Sequence, residues 1–132
     1  MCTSEVWSIR TLLVSALASL PMVRKIATNR TVERDELVSF VRPRHRGVLS
    51  TTRINGRPQM SLVTMGLDNQ GRVVVATYPE RVKTLNARRN PTASLLVMDD
   101  EFNSEWVQVD GTLEVLDLPE AIEPLCEYFR AI

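Results

Sequence analysis

Residues 47–63 read Gly47-Val48-Leu49-Ser50-Thr51-Thr52-Arg53-Ile54-Asn55-Gly56-Arg57-Pro58-Gln59-Met60-Ser61-Leu62-Val63, and this stretch decides the fold. Apolar and small polar residues alternate on both sides of Asn55-Gly56, the dipeptide that most strongly marks a short hairpin. The pattern predicts a strand over 47–53, a tight turn, and a long second strand over 57–67. Asp68-Asn69-Gln70-Gly71 is the next turn signal, and Val73, Val74 and Val75 lead a third strand that ends near Thr77. Three strands joined by short turns make an antiparallel meander.

Upstream, residues 31–41 read as a helix, with Thr31 as its cap, Glu33, Asp35 and Glu36 near its positive end, and Leu37, Val38 and Val41 facing inward. Downstream, a short helix is expected over 79–89, stopped by Asn90-Pro91. A buried strand over 92–98, an acidic turn over 99–103 and a long strand over 104–116, bent at Gly111, follow. Pro119 opens a terminal helix whose Ile122, Leu125, Cys126 and Phe129 read as core. Five strands among short helices predict a mainly β domain over 31–132, a small and partly open barrel. Residues 1–30 stand apart as an extension. Ile9, Leu12, Leu13, Ala16, Leu17 and Leu20 recur at helical spacing and predict an amphipathic helix ending before Pro21. Its cleavage site is poor for an export signal, and no run reaches the roughly 20 apolar residues that a membrane span needs.

The 132 residues carry 16 basic and 16 acidic side chains. A net charge of zero argues against holding nucleic acid or a membrane by bulk electrostatics. The balance is uneven along the chain, however: residues 1–98 hold 15 basic and 6 acidic groups, residues 99–132 hold 1 and 10. Fourteen of the cations are Arg, whose fork suits phosphate and carboxylate. With His45 as the one histidine and Cys2 and Cys126 as the two cysteines, neither a metal cage nor a disulfide framework is expected. The cysteine usage fits a reducing compartment, so a cytoplasmic location is expected.

Two groups of residues could carry chemistry. In the helix after the third strand, Arg81, Thr84 and Arg88 follow three-and-four spacing, flanked by Lys83 and Asn86. Cations beside a helix N-terminus form a phosphate pocket, although a solvated basic helix has the same composition. The second group is the polar alternation of Ser50 and Thr52, then Gln59, Ser61 and Val63, with Thr77 on the third strand. Such a face can meet a flat heterocycle, and it is also ordinary for a half-exposed sheet. His45 lies in the basic loop Arg42-Pro43-Arg44-His45-Arg46 and reads as solvated, and Asp99, Asp100 and Glu101 read as a solvated turn. No catalytic acid, base or nucleophile stands out.

Gly47-Val48-Leu49-Ser50-Thr51, Asn55-Gly56-Arg57-Pro58-Gln59, Arg81-Val82-Lys83-Thr84-Leu85-Asn86-Ala87-Arg88-Arg89-Asn90-Pro91 and Ala93-Ser94-Leu95-Leu96-Val97 occur in this order. Together they resemble the split β-barrel flavin and deazaflavin reductases. More narrowly, the chain resembles the pyridoxamine 5′-phosphate oxidase-like, coenzyme F420-dependent oxidoreductases, from about residue 32 to residue 132. The resemblance implies a homodimer with its cofactor at the subunit interface. Arg81, Lys83 and Thr84 would grip the cofactor phosphate with support from Asn86 and Arg88. Ser50, Pro58, Gln59, Ser61, Val63 and Thr77 would line the ring system. Because the cofactor supplies the hydride chemistry, a missing catalytic acid or base is expected. Relatives continue into a further strand beyond the terminal helix, so the expected barrel is one strand short of closing. FMN-dependent oxidation of a pyridoxamine-like substrate is the alternative chemistry, and a non-catalytic barrel for a flavin, deazaflavin or haem-related ligand is the alternative class.

Overall fold

A computed structural model describes residues 30–102 and 104–132. The amphipathic helix expected within residues 1–30 lies outside the described residues. In chain order the elements are α1 (Arg34–Val41), β1 (Arg46–Thr52), β2 (Pro58–Thr64), β3 (Gly66–Leu67), β4 (Val73–Val74), α2 (Val82–Arg89), β5 (Thr92–Met98), β6 (Trp106–Thr112) and α3 (Ile122–Ala131). A four-stranded antiparallel sheet runs β2-β1-β5-β6, and β3 and β4 form a second, two-stranded sheet.

The β1–β2 hairpin sets the register. Gly56 donates its N–H to the Arg53 carbonyl at 2.9 Å, and Arg53 donates to the Arg57 carbonyl at 2.9 Å. Gly56 sits at φ 81°, in the left-handed region that a residue without Cβ enters freely. The connection is therefore a three-residue loop closed by a glycine bulge, not a two-residue Asn-Gly turn. Thr51 lies opposite Gln59 and Ser50 opposite Met60. A two-residue turn would have shifted this pairing by one and put Ser50 and Thr52 on the face of Gln59 and Ser61.

One face of the sheet holds the core. Leu49, Val63, Ala93, Leu95 and Val97 are buried there with Met65, Leu67 and Val41. Gly47 permits the close seam between β1 and β5, since a Cβ at this position would lie 2.9 Å from the Leu96 carbonyl oxygen. The opposite face leaves Met60 and Leu62 67% and 87% exposed.

The long second strand expected over 57–67 divides at Met65. Its N–H bonds to the His45 carbonyl at 2.9 Å, its carbonyl lies 3.0 Å from His45 Nδ1, and the chain passes into β3. His45 is half-buried at this crossing, not a solvated loop residue. The expected third strand shrinks to Val73–Val74 and pairs with β3, so the meander is shared between two sheets. The β3–β4 turn is tied by Asp68, which accepts from the N–H groups of Gln70 and Arg72 and from the Arg72 guanidinium at 2.7–2.9 Å. Burial alone would raise the Asp68 carboxyl, but these donors together hold it below the ordinary carboxylate range. Arg34 donates to the Gln70 carbonyl at 2.7 Å, and Asn69 donates to Glu127 at 3.0 Å, so the turn touches both α1 and α3.

Several boundaries differ from the sequence expectations for local reasons. Helix α1 starts after Glu33 without a side-chain cap, so Thr31 does not cap it. Residues 79–81 form a turn before α2. Strand β6 stops at Thr112 because its last pairing, Leu113 N–H to the Pro91 carbonyl at 2.7 Å, meets a residue with no N–H to return. Pro119 precedes α3 in a turn, after a cis bond to Leu118. On α3 the buried residue is Tyr128, while Ile122, Cys126 and Phe129, expected in the core, are exposed.

Gly47→Ala should lower stability by about 1–3 kcal/mol in urea unfolding, the cost of overpacking against a backbone atom. Gly111→Ala, whose Cβ would meet nothing within 4 Å, should change it by less than about 0.5 kcal/mol. Asp68→Ala should cost about 1–3 kcal/mol at neutral pH. Because the folded-state pKa of Asp68 is depressed, its stabilisation is complete above the unfolded value of ~3.9 and is lost as pH falls through the folded value. The gap between wild type and variant should therefore close in strong acid, which unfolding curves at several pH values would show.

Candidate functional site

Helix α2 buries only Thr84, Asn86 and Ala87, so polar bonds hold it against the hairpin. The Asn86 amide, 5% exposed, donates to Thr51 Oγ1 at 3.1 Å, and Thr51, 1% exposed, donates to Gln59 Oε1 at 3.1 Å. Gln59 Nε2 donates to Ser61 Oγ at 2.8 Å and to the Met60 carbonyl at 2.9 Å. At the other end Arg89 donates to Asn86 Oδ1 at 3.0 Å and to the Thr52 carbonyl at 2.6 Å. Five side chains from α2, β1 and β2 thus form one chain of bonds. Between α2 and the hairpin loop lies an open cleft of about 370 Å3, lined by Arg53, Ile54, Asn55, Val82, Leu85 and Arg89.

The N-terminal end of α2 carries a second group. Buried Thr84 donates to the Tyr78 carbonyl at 2.9 Å and lies 3.4 Å from the Thr77 hydroxyl. Arg81, the N-cap, is exposed and stacks over the Tyr78 ring at 5.9 Å, and Lys83 is half-buried in the first turn. Neither cation has a carboxylate partner among the described residues. The first turn of α2 thus carries two cations and a buried threonine at the positive end of a helix dipole, with the Thr77 hydroxyl beside that threonine, a composition suited to a phosphate.

Of the sequence-derived site residues, the structure joins Gln59, Ser61 and Asn86 in the relay, and Thr77, Arg81, Lys83 and Thr84 at the helix start. It separates the others. Ser50 and Pro58 lie on the exposed face of the sheet, opposite to Gln59, because of the one-residue register of the hairpin. Val63 is in the core. Arg88 stands one turn beyond Thr84 on α2, but its side chain is exposed and turned to Asp117, with which it pairs at 2.5 Å, away from the helix start. This hydrogen bond raises the Arg88 guanidinium and lowers the Asp117 carboxyl. Sequence reasoning missed Thr51 and Arg89. Counting the hairpin as a three-residue loop would have put Thr51 beside Gln59, and Arg89 stands three residues after Asn86, one helical turn away.

With this geometry in hand, the class of protein is a mainly β, open split barrel with flanking helices. Residues 34–132 match the pyridoxamine 5′-phosphate oxidase family model, and the chain belongs to that family. Among solved structures it is similar to a conserved hypothetical protein from Mycobacterium tuberculosis, with 25% identity over 75% of this chain and 62% of that chain, at a TM-score of 0.62. It is also similar to an F420 reductase, with 24% identity over 58% and 60% of the two chains, TM-score 0.52. A heme binding protein from Mycobacterium smegmatis shares 22% identity over 80% of this chain and 45% of its own, TM-score 0.65. The chain thus spans less than two thirds of the length of each.

Asn86→Ala should cost about 1–3 kcal/mol in thermal or urea unfolding, because it leaves buried Thr51 without its donor. Arg88→Ala, which breaks a surface pair, should cost no more than about 1 kcal/mol.

Proposed function

We propose that this chain is the cofactor-holding barrel of an oxidoreductase that uses reduced coenzyme F420 to pass a hydride to an organic acceptor. The observation that carries this reading is the start of α2, where Arg81 and Lys83 lack carboxylate partners among the described residues and flank, in the first turn, the paired hydroxyls of Thr84 and Thr77. Such a cluster fits a phosphorylated cofactor: the cations compensate its charge and the exposed Thr77 hydroxyl supplies a directional bond, while Thr84 is held by the Tyr78 carbonyl. Ser61 on the edge strand, held by Gln59, offers its hydroxyl to a ring system. When bound, the deazaflavin supplies the hydride. The work left to the chain is to hold the phosphate, orient the ring and exclude water.

F420 is favoured over FMN because FMN-dependent oxidation of a pyridoxamine-like substrate calls for further basic and aromatic contacts around the site. The similarity to an F420 reductase supports the same choice. The proposal includes a homodimer. Met60 and Leu62 on β2 and Trp106 on β6 expose large apolar side chains on one face of the sheet, a surface that a second copy would cover. A cytoplasmic location fits the exposed thiol of Cys126.

Titration of the purified protein with coenzyme F420 and with FMN, followed by fluorescence, tests the reading. The double variant Arg81→Ala with Lys83→Ala should lose about 2–4 kcal/mol of F420 affinity, the worth of two partly screened charge-assisted bonds. Tight binding of FMN or haem with no response to F420 would overturn the assignment, and unchanged affinity in the double variant would move the phosphate site elsewhere.

A further inference from the structure

The relay from Arg89 to Ser61 has a direction, and both of its ends impose the same one. A guanidinium can only donate, so the Asn86 atom facing Arg89 is the carbonyl oxygen and the amide nitrogen faces Thr51. Thr51 Oγ1, having accepted from Asn86, places its single hydrogen on Gln59 Oε1. From the far end, the Met60 carbonyl can only accept, so the Gln59 atom facing it is the nitrogen. That orientation again leaves Oε1 toward Thr51. The two amides, whose orientation a local view leaves open, are thereby fixed by a cation on α2 and a backbone carbonyl on β2.

The last link is Ser61. Its oxygen receives a hydrogen from Gln59 at 2.8 Å, so its own hydrogen points away from Gln59. No acceptor for it occurs among the described residues. Ser61 is half-buried on the edge strand, and Thr51 and Asn86 are nearly sealed from water. Chains of hydrogen bonds in such surroundings polarise one another, which strengthens the final donor.

We infer that Arg89 and Thr51 are positioning residues: without touching the ligand, they lock, together with the Met60 carbonyl, the Gln59 orientation that makes Ser61 an outgoing hydrogen-bond donor, so the site selects a ring system that presents an acceptor, such as a carbonyl oxygen, to β2. This rests on the cofactor reading above and adds a specificity element to it.

The test uses the full-length protein, with coenzyme F420 and FMN as probes, and a readout that needs no ligand. In spectra of the free protein, the Gln59 and Asn86 side-chain amide hydrogens should exchange slowly. Arg89→Gln, which can donate or accept, and Thr51→Val should each speed exchange at Gln59 by roughly tenfold. Arg89→Lys, again a pure donor, and Thr51→Ser, which keeps the hydroxyl, should restore it, separating the relay from packing. Ser61→Ala should weaken binding of whichever probe binds by roughly tenfold and leave the Asn86 amide signals unmoved. Gln59 exchange unchanged in both Arg89→Gln and Thr51→Val would overturn the relay. Full affinity in Ser61→Ala would overturn its role toward the ligand. Binding of neither probe to wild type would overturn the cofactor reading together with the ligand role of Ser61, while the amide exchange alone would still decide whether the relay exists.

Discussion

The bond from Gly56 N–H to the Arg53 carbonyl governs more of this structure than its size implies. Together with the Arg53 N–H to Arg57 carbonyl bond it closes a loop of three residues, and strand side chains alternate with a period of two, so the pair of bonds decides which half of each hairpin strand faces inward. With this closure, Leu49, Thr51, Gln59, Ser61 and Val63 share one face. The inner end of that face is core, and its end near the turn is polar and meets α2. Glycine is needed because the loop requires φ 81° at residue 56.

The division of the sheet face also explains how the site helix is held. A surface helix ordinarily gains its place by burying an apolar stripe. Val82 and Leu85 on α2 are instead about half exposed, and the helix is tied through Asn86 to Thr51, through Arg89 to Thr52 and through Thr84 to Tyr78. Buried polar bonds of this kind add modest net stability but strongly penalise any arrangement that leaves them unmade. The basic helix start is therefore placed by directional contacts. Elsewhere charge is used differently: Arg88 and Asp117 pair at the surface, and Arg44 lies 3.8 Å over the Phe40 ring while reaching Asp99 at 3.3 Å.

Most of the architecture was legible in the sequence. Alternation on either side of Asn55-Gly56, the apolar run of residues 92–98 and the Asn90-Pro91 stop led to β1, β2, β5 and the end of α2. The start of α2 cluster was legible too, because cations and hydroxyls at helical spacing are local information. Two kinds of feature were not. The facing of Ser50 depends on one residue of loop length, which the Asn-Gly signal alone does not settle. The switch at Met65 depends on His45, twenty positions away in sequence and paired through backbone and ring contacts that no local pattern encodes. Cys126 and Phe129 read as core from periodicity, yet the helix turns Tyr128 inward instead, where its ring packs edge-on to Phe129 at 5.1 Å.

The position of β1 at the middle of its sheet also bears on how fast the molecule can form. Gly47 lies opposite Val63 in the hairpin and opposite Val97 in β5, fifty positions further along. The first pairing is local and closes on the microsecond scale of isolated hairpins. The second must wait until the second sheet and α2 have been gathered into a closed loop, and its entropic cost falls before any of the β1–β5 contacts repay it. Assembly of the core is thus a slow, long-range event that follows a fast, local one, and until it occurs the apolar inner edge of β1 stays open to solvent and to other chains.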